Sequence, residues 1–389
     1  MKTFSKLAAA LSLPALALAS CANAENGETT QTATTEVSLT VTPMGEFERP
    51  WAIEFIPGTD WIAITEKEGA LKLMHSANGQ VVNVSGVPEV AFGGQGGLGD
   101  VAFLDSEAEV MGARTIYLSW AQLGEDGETR GAVVGRGKLD CTDPDTAQML
   151  CAIEGLEVIW QQTPKVEGRG HYSHRITFSP DEQYMFVTSG DRQKQTPAQD
   201  MTNTLGTIVR LNLDGTPAAG NPFAEQGGVT AEIWSYGHRN LLGIDWDAQG
   251  RLWEVEHGPA GGDELNLVRE GANYGWPTRS NGDNYNGVDI PDHTDDDGFT
   301  KPAIWWTPVI APGDMVFYSG EMFADWQGDA LIAGLASKAL VHVAIEGETA
   351  REVGRYEVGD RLRSVTLAPD GSIFVAEDGE GGRVLRISK

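Results

Sequence analysis

One pattern recurs six times in this chain, and few folds can accommodate it. A short apolar strand leads into a turn carrying Pro, Asp or Gly, and a second apolar strand follows that ends in acidic or small residues. It reads Trp51–Ile56 then Trp61–Glu66, Asp100–Leu104 then Thr115–Trp120, and Ile176–Ser179 then Tyr184–Gly190. It continues as Gly243–Trp246 then Arg251–Glu256, Met315–Ser319 then Asp329–Gly334, and Val365–Ala368 then Ser372–Asp378. Each turn alone indicates only a hairpin; the recurrence carries the information. The spacing, roughly 50 to 75 residues, suits four-stranded units with insertions. Following strands are visible at Ala70–Met74, Thr207–Leu213 and Arg383–Ile387. A sheet array that closes radially leaves only short protected edges. The expectation is therefore an all-β chain, a six-bladed β-propeller of four-stranded antiparallel blades over residues 37–389, with insertions at 121–170, 193–204, 215–229 and 279–302.

Charge narrows the partners. The formal net charge of −28 leaves no basic footprint for a nucleic acid and disfavours an anionic membrane face. The first residues read as targeting rather than fold. Lys2 and Lys6 precede the apolar run Leu7–Ala19, too short to cross a bilayer, and the run ends Leu18-Ala19-Ser20-Cys21. This is the pattern of a lipoprotein signal peptide over residues 1–20, with Cys21 acylated and a polar tether over 21–36. Cleavage after Ala24 is the competing reading. Both put the mature protein outside the cytoplasm, periplasmic or extracellular, tethered or secreted. Of three cysteines, Cys141 and Cys151 remain in that disulfide-permissive setting, so a disulfide between them is expected, with a two-thiol metal site the weaker alternative.

Residues that could carry chemistry cluster at the ends of the repeated units. Gly94-Gln95-Gly96-Gly97-Leu98-Gly99 satisfies a dinucleotide-binding expression, but a strand-like run follows where that fingerprint needs a helix. His171 precedes one apolar strand and Asp191 ends its partner, so a hairpin would bring an imidazole base and an orienting carboxylate together. Alone, His171 would more often be a surface histidine. Arg239, Lys338, Arg361 and Arg363 stand at comparable places in a chain with 28 basic against 56 acidic residues. Surface placement is the ordinary fate of each; together they would make a pocket for a multiply anionic small molecule. The stretch 233–277 adds Asn240, His257, Gly258 and Pro259, and the acidic segment Asn281–Gly298 reads as a solvated loop, with a calcium or substrate-side role as the alternative.

With these residues in place, the chain resembles the soluble quinoprotein aldose (glucose) sugar dehydrogenases. The resemblance rests on GQGGLGD at Gly94–Asp100, GHRN at Gly237–Asn240, EHGPAGGDELN and NYGWP between Glu256 and Pro277, and RLRSVTLAPDG at Arg361–Gly371. It implies pyrroloquinoline quinone (PQQ) and calcium as cofactors, and oxidation of aldoses at C1 to lactones. His171 would be the base that takes the anomeric hydroxyl proton while hydride passes to the quinone. Asp191 would orient it, and Arg239 would polarise the quinone carbonyl. Asn240, Lys338, Arg361 and Arg363 would hold the cofactor's oxygens, and Gln95 would face the substrate. The carbonyls of Gly258 and Pro259 would bind the cofactor's calcium; Glu264 and the carbonyl of Tyr274 would bind a second, structural one. Gly170 stands where the glucose-specific branch has an aspartate, and His257 where it has a glutamine, which implies the broader aldose branch. The implied partners are an aldose sugar and an external electron acceptor (a quinone, dye or cytochrome-like protein), with the protein a monomer or homodimer. A calcium-dependent lactonase or other hydrolase is the alternative on the same architecture, and a non-enzymatic glycan- or protein-binding propeller is a third reading.

Overall fold

The six apolar runs that open the repeated units pack side by side into a closed ring. The computed structural model describes residues 38–142, 146 and 148–389, so the expected signal peptide, tether and Cys21 lie outside the described residues. Its strands are β1 (Thr40–Phe47), β2 (Pro50–Phe55), β3 (Trp61–Glu66), β4 (Ala70–His75), β5 (Val81–Ser85), β6 (Leu98–Ala102), β7 (Arg114–Leu123) and β8 (Arg130–Thr142). There follow β9 (Leu150–Gln161), β10 (Ser173–Phe178), β11 (Tyr184–Ser189), β12 (Thr207–Asn212), β13 (Ile233–Tyr236), β14 (Leu241–Trp246), β15 (Leu252–Glu256) and β16 (Asp263–Leu267). The last are β17 (Ile304–Trp306), β18 (Pro312–Phe317), β19 (Ala330–Gly334), β20 (Leu340–Glu346), β21 (Thr349–Tyr356), β22 (Leu362–Leu367), β23 (Ile373–Glu377) and β24 (Gly382–Ser388).

Four sheets have four strands each: β10–β13, β14–β17, β18–β21, and β22–β24 completed by β1. The remaining eight strands form one sheet, because β5 pairs in parallel with β9 through Val84–Cys151 and Ser85–Ala152 and joins β2–β5 to β6–β9. The six openers β2, β6, β10, β14, β18 and β22 each pack on the next, and β22 packs back on β2. The amino-terminal β1 pairs antiparallel with the carboxy-terminal β24, so both ends of the domain share one sheet. Residues 121–170 are not an insertion. They carry β8 and β9, two long strands whose partial exposure hides them from an apolar scan. Cys141 and Cys151 sit opposite each other on this pair and form the disulfide.

Burial grades outward from the ring. Strands β3, β19 and β23 are buried at every residue, as strands covered on both faces must be, whereas β21 alternates exposed and half-buried. Every opener also carries an irregularity after its first residue: between Pro50 and Ala52, Leu98 and Val101, Ser173 and Ile176, Leu241 and Gly243, Pro312 and Asp314, and Leu362 and Ser364. A bulge leaves a residue outside the ladder and re-aims its neighbours.

The freed groups meet at Arg175. Its Nε donates to the Leu242 carbonyl at 2.8 Å, Nη1 to Asp100 Oδ1 at 2.8 Å, and Nη2 to the carbonyls of Gly313 at 2.6 Å and Arg363 at 3.4 Å. Its guanidinium lies 4.2 Å from the centre of the Trp51 ring, and Asp314 is 3.3 Å away. One side chain from β10 thus touches all five other openers. Removing it strands Asp100 and Asp314 as buried carboxylates. Arg175→Met is expected to cost about 3–5 kcal/mol of unfolding free energy, measured by urea denaturation; a loss under about 1 kcal/mol contradicts this role.

Candidate active site

Antiparallel pairing brings the start of each opener and the end of its neighbour to one rim, and the sequence places functional groups at both. His171 lies two residues before β10 and Asp191 two after β11. His171 Nδ1 is 2.7 Å from Asp191 Oδ1, so the expected dyad is present. An ionised carboxylate only accepts, so Nδ1 carries the hydrogen and Nε2 keeps the lone pair. Asp191 Oδ1 also accepts from the Gln193 backbone, and Oδ2 accepts from Trp276 Nε1 at 2.8 Å and the Gln195 backbone. Burial pushes this carboxyl up, but the hydrogen bonds from His171, Trp276 and Gln193 outweigh it and hold it below the ordinary value. Burial lowers His171, which its bond to Asp191 only partly offsets, so the ring is a neutral base near pH 7.

The loop around the base is bent into left-handed backbone. His171, Ser173, His174, Arg192, Gln193 and Gln195 all have positive φ, between 46° and 66°, which costs non-glycine residues free energy and persists only where neighbours enforce it. Arg192 is the main enforcer. Its Nε and Nη2 donate to the carbonyls of Gly170 and Gly168, and the guanidinium covers the Tyr172 ring at 3.7 Å. Gln95 adds a brace, accepting the His171 N–H at 2.6 Å, so its carboxamide oxygen is turned to the loop backbone. Gly99 is required here: a Cβ would stand 1.9 Å from His174 Cε1.

Arg239 and Asn240 precede β14 and face the dyad across the rim. Their backbone N–H groups both donate to Glu256 Oε2, at 2.6 and 3.1 Å, and the Arg239 carbonyl accepts from the Asp191 N–H at 2.9 Å. Arg239 Nη1 donates to the His257 carbonyl, Nη2 reaches Tyr285 Oη, and the guanidinium lies 5.2 Å from the centre of the Trp276 ring. Arg239 Nε and Asn240 Nδ2 are buried donors without acceptors among the described residues. Arg361 and Arg363 share the Asp378 carboxylate, as same-face residues should. Lys338 stands apart: its exposed ammonium pairs with Asp360 at 2.6 Å. Burial, with Arg239 and Arg363 adding positive field, drives His257 down to about 3, so it is neutral.

Two cavities share the His257-Gly258 segment, and Arg239 lines the inner one. The outer, about 430 Å³, is lined by His257, Gly258, Pro259, Asp263 and Tyr285 among others. Gly258 has no room for a side chain, with the Gly261 and Gly262 carbonyl oxygens 2.2 and 2.3 Å from where a Cβ would sit. The carbonyls of Gly258 and Pro259 accept no hydrogen bond among the described residues. The inner cavity, about 10 Å³, holds roughly one water-sized sphere and is lined by Glu256, Glu264, Tyr274 and Arg239 among others. Beside it His238, Glu254 and Glu256 bring ligand atoms within 4.8 Å of one another. Burial, then the charge of Glu256, pushes Glu254 and Glu264 up. Burial pulls His238 down, but its bonds to Glu254 and Glu256 prevail and hold it up to about 9.

Trp276, Arg192, Glu256, Asp378 and Tyr285 escaped residue-by-residue reading. A signal exists for two of them: Glu256 ends and Asp378 directly follows the second strand of a repeated unit, the place where Asp191 also falls. The buried arginine and the indole carry none, since their partners are carbonyls and a carboxylate distant in sequence. Tyr285 lies in the acidic segment, exposed yet touching Arg239.

A ring of β-sheets thus carries a buried histidine–carboxylate pair and arginines at one rim. The sequence profile described as Glucose / Sorbosone dehydrogenase matches residues 47–386, and the chain belongs to that family. It is 34% identical over 348 residues to Aldose sugar dehydrogenase YliI of Escherichia coli K12, covering 88% of this chain and 91% of that protein. The crystal structure of the soluble aldose sugar dehydrogenase from Escherichia coli in its apo-form superposes with a TM-score of 0.82 at 34% identity, over 90% of this chain and 99% of that one. The PQQ-bound aldose sugar dehydrogenase of Streptomyces coelicolor, at 23% identity, shares the fold with a TM-score of 0.70 over 90% of this chain and 98% of that one.

An NMR titration is expected to find the His171 ring below the ordinary imidazole value of about 6.5. Asp191→Asn removes the favourable charge and should lower it further; a rise would contradict the arrangement.

Proposed function

We propose that the protein is a PQQ- and calcium-dependent aldose dehydrogenase that oxidises sugars at C1 to lactones and passes the electrons to an external acceptor. The observation that carries this reading is the pairing of a neutral, carboxylate-oriented base with two buried, acceptor-less donors across one rim. Arg239 Nε and Asn240 Nδ2 fit acceptor oxygens of an anionic quinone, and Arg363 and Arg361 fit its carboxylates. Lys338 would have to leave Asp360 to join them. We read the eight-stranded sheet as two blades, which makes the ring six-bladed. We also infer an exported mature domain from residue 37, tethered through Cys21.

His171 Nε2 takes the proton of the C1 hydroxyl, and the imidazolium that results faces the Asp191 carboxylate already bonded to Nδ1. Arg239, held by Glu256 and His257, keeps positive charge where negative charge develops. PQQ, when bound, supplies the two-electron acceptor. Calcium held by the carbonyls of Gly258 and Pro259 would add Lewis-acid polarisation. The inner cavity suits a second calcium on Glu264 and the Tyr274 carbonyl, being single-ion in size and lined with carboxylates.

The apo-protein is to be incubated with calcium, with and without PQQ, and aldose-dependent dye reduction measured. Activity that appears only with PQQ is expected; none in either sample of folded protein sinks the reading. His171→Ala should retain cofactor binding and lose about 10²–10⁴-fold in kcat. Lost binding with unchanged turnover per bound cofactor would reassign the residue.

Calcium removal has a definite pH signature. Glu254, Glu264 and His238 all bind protons more tightly in the folded chain than in the unfolded one. The stability they contribute is therefore present at acid pH and lost as pH rises from about 4.3, the unfolded glutamate value, through the folded values. In chelator, Tm should fall between about pH 5 and 8, and calcium should restore it by about 3 °C or more at the upper end. A calcium-insensitive Tm at both ends would remove the second ion from the proposal.

A further inference from the structure

One aromatic residue touches both halves of the site and has no role in the chemistry described above. Trp276 is 6% exposed, and its Nε1 donates to Asp191 Oδ2 at 2.8 Å while its ring carries the Arg239 guanidinium at 5.2 Å. Its own backbone is fixed on two sides. The N–H donates to the Gly237 carbonyl at 2.9 Å, and the carbonyl accepts from Gln199 Nε2 at 2.7 Å. Gly237 precedes Arg239 in its loop, and Gln199 closes the one-turn helix that follows Asp191. The indole is thus a rigid piece between the loop of the base and the loop of the arginine.

The chemistry explains why a tryptophan stands here. Phenylalanine would offer the ring face but no donor, and histidine a donor but a smaller face. Among the described residues Asp191 Oδ2 has two donors, the indole and the Gln195 N–H, while Oδ1 serves His171 and the Gln193 N–H. A donor on Oδ2 draws electron density from the carboxylate and weakens its pull on the imidazolium, so the indole sets the basicity of His171 as well as its position.

We propose that Trp276 is a positioning residue that holds the His171–Asp191 dyad in register with Arg239 and tunes the basicity of His171 through Asp191. The kinetic part rests on the sugar-oxidation reading; the titration part does not.

The test uses the full chain with Trp276→Phe, which keeps an aromatic face and deletes the donor. Charged and titratable groups facing His171 are Asp191, Arg192, Arg239 and His257, and none of them is altered. Relieved of one donor, Asp191 should attract the imidazolium more strongly, so the His171 pKa read by NMR should rise by about half a unit to one unit. That is opposite in sign to Asp191→Asn. With PQQ and calcium, kcat/KM should fall about 10- to 100-fold, the scale of one hydrogen bond to a charged group. In an Asp191→Asn background the same substitution should cost less than about threefold, since residues acting as a unit are not additive. An unmoved His171 pKa, or equal losses in both backgrounds, overturns the proposal. A moved pKa in a protein inactive on every aldose would leave the positioning role standing and sink the sugar-oxidation reading instead. If Trp276→Phe does not fold, the unsubstituted chain labelled with ¹⁵N-tryptophan decides: among its eleven indoles, one resonance must shift at the pH where His171 titrates, and a set that stays static overturns the role.

Discussion

A guanidinium on the ring axis sets the geometry on which the rim depends. Each opener could run as a regular strand and satisfy its own backbone, and then nothing would fix one sheet's height relative to the next. The six irregularities break that independence. They expose the carbonyls of Leu242, Gly313 and Arg363 inside a dry core, where an unpaired acceptor costs about 1–3 kcal/mol. Arg175 is the shared donor that removes this cost, with Asp100 and Asp314 balancing its charge. Once those bulges are locked, His171, Asn240 and Arg361, all one or two residues upstream of an opener, have fixed relative positions. Precision at the rim follows from satisfaction on the axis.

The rim is cationic in a chain of net charge −28, and carboxylates at strand ends make that arrangement stable. Asp191 holds His171, Glu256 holds the backbone of Arg239 and Asn240, and Asp378 holds Arg361 and Arg363. Each acid ends or just follows the second strand of its sheet and reaches a group at the start of the first strand or just before it. The pairing explains the repeated ending in acidic residues, which a purely apolar view of the unit would treat as solubility. It also explains why Lys338, whose partner Asp360 is exposed, sits outward.

Much of this was readable because the buried strands announce themselves. The first two strands of every unit are largely buried, so they read as apolar runs in all six copies. Outer strands such as β21 alternate exposure and carry weaker signals, and the mixed exposure of β8 and β9 makes them look like an insertion in sequence. The edge pairing of β5 with β9 involves two residues on each strand, and the pairing of β1 with β24 joins opposite ends of the domain; neither leaves a local mark. At the site, His171 and Asp191 were legible as ends of one hairpin. Arg192 was not, because a buried arginine whose acceptors are carbonyls looks in sequence like any surface arginine.

Glu256 ties the rim to the acidic interior. Its Oε2 accepts the two N–H groups that set Arg239 and Asn240, while its Oε1 lies 3.3 Å from His238 and its side chain borders the inner cavity beside Glu264. Any positive charge that neutralises Glu254 and Glu264 therefore also relieves the repulsion acting on the carboxylate that holds the rim. His238, as an imidazolium, supplies one such charge, and the charge of Glu256 still adds to burial in pushing Glu254 and Glu264 up. The second calcium proposed for the inner cavity would add positive charge beside Glu256. Such an ion, remote from His171, would act on the geometry of Arg239 through one carboxylate and two hydrogen bonds.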